Sequence, residues 1–168
     1  LAVRSADEAS VVPDYDRQAF GQRWADTDHN GCDTRNDILA RDLARPTFKP
    51  GTRDCVVLTG TLAEPYTGTT IQFQRGDKSS ALVQIDHVVA LADAWRSGAW
   101  QWDAQRRQEF ANDPKSASSA DQWLPPNAAF RCDYVKRQIA VKYAYGLSVT
   151  QAEQDAMATQ LTTCSDDP

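Results

Sequence analysis

The chain has 168 residues, 41% of them hydrophobic and 24% charged, which is the composition of one globular domain and excludes wholesale disorder. No run of about 18 apolar residues exists, which excludes a transmembrane helix. The net charge of −5 argues against a protein that coats nucleic acid by bulk charge. The charge is uneven, however. Between Arg96 and Lys142 eight basic residues face five acidic ones, so a local basic surface on an acidic body is expected.

Residues 1–13 read as a flexible leader ahead of a domain spanning 14–168. Asp14 is placed to cap a helix from Tyr15 to about Trp24, with Tyr15, Ala19 and Phe20 at helical spacing. DTDHNG, residues 26–31, resembles part of a calcium loop but lacks the glutamate at the twelfth position, so a polar turn is expected. Asp33 or Thr34 caps a short helix through Asp42, which Pro46 and Pro50-Gly51 break. The period then changes to two. A strand is predicted from Cys55 to Leu62, a turn at Glu64-Pro65, and a second strand through Thr70, Ile71 and Phe73. Leu82, Val83 and Ile85 look strand-like, and a helix is predicted from near His87 or Val88 to beyond Trp95.

WDAQRRQEFAND predicts a helix ending near Asn112, followed by a small-residue loop. Trp123 to Asn127 forms a rigid stop. Asn127 caps a long helix that Gly146 ends, and Thr150 with Glu153 has capping-box spacing for a last helix. Trp95, Trp100 and Trp102 are expected to pack helices rather than stack on bases.

Four cysteines, none in a Cys-x-x-Cys pair, lack zinc spacing and suit two disulfides in an oxidising compartment. Three pairings are open; the local one keeps each bridge within its own half of the chain. Leu1-Ala2-Val3 is not a full signal peptide, so a secreted protein would be in processed form here.

Histidine is scarce: only His29 and His87. Asp86-His87 ends a strand-like run. A carboxylate and an imidazole side by side can divide the work of phosphodiester hydrolysis, one holding a divalent cation and the other addressing water.

VQIDHVVALADAWRSGA, WLPPN and RCDYVKRQIAVKYAYGLSVTQAE resemble the secreted bacterial HNH endonucleases, ββα-metal proteins related to the C-terminal domain of GmrSD-type restriction enzymes. NGCDTRNDILARDL and GTLAEPYTG resemble them too, so the likeness covers roughly residues 14–164. It implies a single α+β domain: a small β-sheet carrying a ββα-metal-like site, surrounded by helices and stapled by two disulfides, Cys32–Cys55 and Cys132–Cys164. It implies His87 as general base and Asp86 as metal ligand. Arg35 and Lys115 are then phosphate contacts, the alternative for Arg35 being an ion pair with Asp33 or Asp37. The metal is expected to be Mg²⁺, with Mn²⁺ and Zn²⁺ as alternatives. The partner is expected to be DNA, with RNA as the alternative, for a monomer that engages no membrane. The implied activity is that of a secreted metal-dependent endonuclease.

One departure stands out. Family members run, after FANDP, through a strand and helix that supply two asparagines. Here Pro114 is followed at once by Lys115-Ser116-Ala117, and about a dozen residues are missing. That is the best support for the competing reading, a catalytically degenerate secreted module on the nuclease scaffold that binds nucleic acid or a partner. A cysteine-dependent enzyme would instead need a free low-pKa thiol.

Overall fold

The computed structural model describes residues 1–76, 80, 82–115, 117–118 and 125–164. Trp123 and Leu124 of the expected rigid stop lie outside the described residues. The chain forms a mixed α and β domain with a three-stranded antiparallel sheet, flanking helices and two disulfides.

Helix α1 spans Ala6–Ser10 and carries a capping box between Ser5 and Glu8. The leader is tied to the body: Val3 bridges to Val149, and Arg4 reaches Ser97 and Glu153. The helix predicted from Tyr15 is reduced to a 3-10 turn at Arg17–Phe20, capped by Asp16 rather than Asp14. Gly21 (φ 69°) and Trp24 (φ 60°) turn the backbone left-handed and prevent continuation. Phe20 is nevertheless fully buried, against Trp95 and Phe110.

Helix α2, Thr34–Asp42, starts where Asp33 accepts a hydrogen bond from the Asn36 N–H. Its Leu39, with Leu43 just beyond it, packs on the sheet among Val57, Leu62, Phe73 and Val83. The sheet has the order β1 (Ala44–Phe48), β2 (Val57–Glu64), β3 (Thr69–Gln74). β1 was not predicted, because Pro46 reads as a breaker; an edge strand tolerates it. Gly60 is required by close packing: a Cβ there would lie 2.8 Å from the Leu43 Cβ. Asn36, buried at the helix–sheet junction, accepts from the Val57 N–H (3.1 Å) and from Arg75.

The strand expected over 82–85 is absent; only Asp86–His87 (β4) pairs, antiparallel with Ala117–Ser118 (β5). Helix α3 begins at Leu91, not near His87, and ends at Arg96. The reason lies in the adjacent residues Val88 and Val89, both buried but in different clusters. Val88 packs with Tyr66, Phe130 and Tyr134; Val89 packs with Phe20, Trp95 and Phe110. Neighbours that bury themselves in opposite directions need extended backbone.

Helix α4 runs Ala104–Ala111, and α5 runs Arg131–Tyr145 after a 3-10 turn that Asn127 caps. Gly146, at φ 68° and ψ 31°, supplies the left-handed stop. Helix α6, Gln151–Thr162, has the Thr150–Glu153 capping box. Trp95 is buried and Trp100 and Trp102 pack against the same cluster, so all three are core aromatics.

The disulfides join Cys32 to Cys55 and Cys132 to Cys164, and no cysteine is free, which removes the thiol enzyme from consideration. Helix α6 buries none of its residues. Its far end is held to α5 by Cys132–Cys164, which spans 32 residues of sequence. The chain-entropy relation assigns a loop of that size about 3.5 kcal/mol. Replacing both cysteines by serine is expected to lower Tm by about 10 °C in calorimetry; an unchanged Tm would mean α6 contributes nothing to the cooperative unit.

Candidate active site

β4 presents Asp86 and His87 from a two-residue ladder, and helix α4 approaches from behind. The His87 Nε2 lies 2.9 Å from the carbonyl oxygen of Ala111, the last residue of α4. The imidazole is stacked on Phe110, with centroids 6.0 Å apart and planes 19° apart. Its Nδ1 lies 3.7 Å from the Asp86 Oδ1, an ion-pair rather than a hydrogen-bond distance. The same carboxylate accepts from the His87 backbone N–H at 2.7 Å.

This geometry assigns the nitrogens. A carbonyl oxygen only accepts, so Nε2 carries the proton it donates there. When the imidazole is neutral, Nδ1 is the nitrogen with the free lone pair, and it is the one beside Asp86. Asp86 itself is half exposed. The His87 side chain holds its carboxyl below the usual carboxylate range, helped by the His87 N–H and by the charges of His87 and Arg23, against the opposing effect of burial. The carboxylate is therefore ionised and open to solvent.

Two cavities reach the pair. One, of about 760 Å³, lies between α3, α5 and α6 and extends to Arg4, Lys142 and Glu153. The other, of about 270 Å³, is lined by Tyr15, Arg17, Arg23 and Trp24 as well as by the pair.

The remaining predicted residues stand apart. Arg35 lines neither cavity; its guanidinium donates to the carbonyls of Ser80 and Val83 at 3.4 Å each and lies 5.8 Å from the centre of the Trp24 ring. Burial, and the nearby positive charges of Arg75 and Arg23, depress its basicity against the pull of Asp33. Lys115 is exposed, two residues before the Ala117 that pairs with His87, and lines neither cavity. Asn112 is fully engaged in the interior: its Oδ1 accepts from the Ala25 N–H, and its Nδ2 donates to the carbonyls of Gln22 and Gln108. It braces the 22–25 segment from a buried position. The 26–31 segment is a turn, in which Asp26 accepts from the N–H groups of Asn30 and Gly31.

Among the described residues no group of three His, Cys, Asp or Glu side chains converges on one point. The donor left for an ion at the site is the Asp86 carboxylate, since the free nitrogen of His87 is the candidate base. Mg²⁺ keeps several waters and binds through one or two carboxylates plus substrate phosphates, so this small donor set fits such an ion. Sequence reasoning missed Arg17, Arg23 and Trp24. Their signal in the sequence is the basic–aromatic run YDRQAFGQRW.

The chain is thus a disulfide-bonded α and β domain with an Asp-His pair on a short ladder. Residues 33–160 match the family described as GmrSD restriction endonucleases, C-terminal domain, and the chain belongs to that family. It is also 34% identical over 165 residues to an "Uncharacterized secreted protein" of the fungus Arthroderma benhamiae, covering 89% of this chain and 76% of that one. No solved structure matches it significantly. No helix among the described residues is long and apolar enough to cross a membrane.

Proposed function

We propose that the protein is a secreted, metal-dependent endonuclease of the HNH type that hydrolyses DNA phosphodiester bonds as a monomer. The observation that carries this reading is the fixing of His87 Nε2 on the Ala111 carbonyl, which leaves Nδ1 as a base beside an ionised, accessible carboxylate. The family match supports the substrate class. The two disulfides and the printed name of the fungal relative support secretion.

In this reading His87 takes a proton from the attacking water at Nδ1, while Ala111 and Phe110 hold the ring in place. Asp86 holds a divalent cation, Mg²⁺ by the hardness of its donors, with Mn²⁺ and Zn²⁺ as alternatives. Such an ion, when bound, stabilises charge on the leaving oxygen. Lys115, two residues before β5, remains the proposed phosphate contact. Arg35 acts there through Trp24 rather than directly.

The short path from Pro114 to β5, and the lack of a third metal-ligating side chain among the described residues, favour the second reading, a nucleic-acid-binding module without activity. Supercoiled plasmid incubated with Mg²⁺, Mn²⁺ or Zn²⁺, and with EDTA, separates the two. Nicked or linear product with metal and none with EDTA is the expected result. Intact plasmid under every metal would replace the endonuclease by the binding module.

A further inference from the structure

The two cavities that meet at Asp86 and His87 differ in charge. In the larger one, Arg4 and Lys142 are already paired with Glu153 and Asp93. In the smaller one, Asp86 is the only acid among the described residues that line it, and Arg17 and Arg23 share that lining. No hydrogen bond or ion pair among the described residues engages either guanidinium. Tyr15, 40% exposed, and Trp24 line the same cavity. The Trp24 ring is backed by the Arg35 guanidinium, and its backbone is held at φ 60°. The cavity therefore brings two bidentate cations and two aromatic side chains together with the candidate base.

We propose that residues 15–24 form the substrate wall of this site, with Arg17 and Arg23 binding phosphates of single-stranded DNA and Trp24 and Tyr15 stacking an unpaired base beside the bond to be cut. Paired bases already have both faces covered, so only an unpaired base can use these rings. A cleft of about 270 Å³ is below the usual 300–1,000 Å³ of a ligand pocket. It suits one phosphate and one base rather than a duplex. The wall lies outside residues 33–160, so it is a feature of this chain beyond the part that the family match covers. The cleavage consequence, a preference for unpaired over paired DNA, rests on the endonuclease reading; the binding does not.

The test is the full chain in EDTA, titrated with fluorescein-labelled (dT)12 and with a 12-base-pair duplex. Expected is at least tenfold tighter binding of (dT)12. Arg17→Gln with Arg23→Gln weakens (dT)12 at least tenfold and removes about 1.4 from the slope of log K against log salt, at about 0.7 per phosphate contact. Tyr15→Leu and Trp24→Gly, the latter relaxing the left-handed backbone, each weaken (dT)12 at least fivefold without changing that slope. Duplex bound as tightly as (dT)12, or arginine variants that bind like the parent, overturns the wall. Plasmid cleavage is read separately. Cleavage with an inert wall leaves the endonuclease standing, whereas binding through the wall with no cleavage under any metal supports the wall and removes the endonuclease.

Discussion

Replacing His87 by alanine is expected to slow Mg²⁺-dependent plasmid cleavage by about 10²–10⁴-fold, the usual contribution of a positioned general base. The ring does two jobs, and the substitution removes both. It is the proton acceptor, and it fills the space against Phe110 while satisfying the Ala111 carbonyl. A second variant separates them. His87→Gln keeps an N–H that can reach Ala111 but offers no basic nitrogen, so it is expected to fold with near-parental Tm and to cut as slowly as the alanine variant. If the glutamine variant cuts at the parental rate, His87 is a packing residue and the base lies elsewhere.

Lys142→Met is expected to cost roughly 3–5 kcal/mol of stability, the range for removing one partner of a buried ion pair. Lys142 is 1% exposed. Its Nζ lies 2.7 Å from Asp93, 3.3 Å from Glu153 and 3.1 Å from the Ser97 hydroxyl. Methionine fills the volume but removes the ammonium that Asp93 and Glu153 share, leaving Arg4 on Glu153 alone. Calorimetry should show Tm lower by about 8–16 °C. A change below about 2 °C would mean that the carboxylates find water instead.

The same network sets an acid limit. Burial alone would raise the Glu153 carboxyl, but the Thr150 N–H, the Lys142 charge and their side-chain hydrogen bonds outweigh it and hold it low. A carboxyl lower in the folded than in the unfolded state stabilises at pH above its unfolded value, about 4.3. That stability is lost as pH falls through the depressed folded value. Lys142→Met should therefore show a shallower loss of stability below pH 4 than the parent chain.

The parts of this fold that were legible in the sequence are those with local causes. Asp33, Asn127, the Thr150–Glu153 box and Gly146 each fix a helix end within four residues, and β2 and β3 announce themselves by alternation. What failed needed distant partners. The 15–24 segment has helical spacing, yet Phe20 is drawn into a core built by Trp95 and Phe110, more than seventy residues away. β1 exists because β2 pairs with it, not because ARPTF favours a strand. The site divides in the same way. Asp86-His87 is readable as a dipeptide, but the Ala111 carbonyl that assigns its tautomer and the arginines that face it come from elsewhere in the chain. Arg35 likewise takes its direction from distant groups, the carbonyls of Ser80 and Val83, which no local pattern around CDTR announces.

The unpredicted strand β1 has a consequence for how the molecule behaves in a crowd. It forms one outer edge of the sheet, where a straight row of amides would invite a second chain to add a strand. Pro46 has no amide to offer, Arg45 sits at φ 52°, and the register slips twice between Ala44 and Phe48. That edge is bent and short of donors, so a neighbouring strand finds no continuous ladder to extend. The feature that hid the strand from sequence reading is also what protects it from fibrous self-assembly.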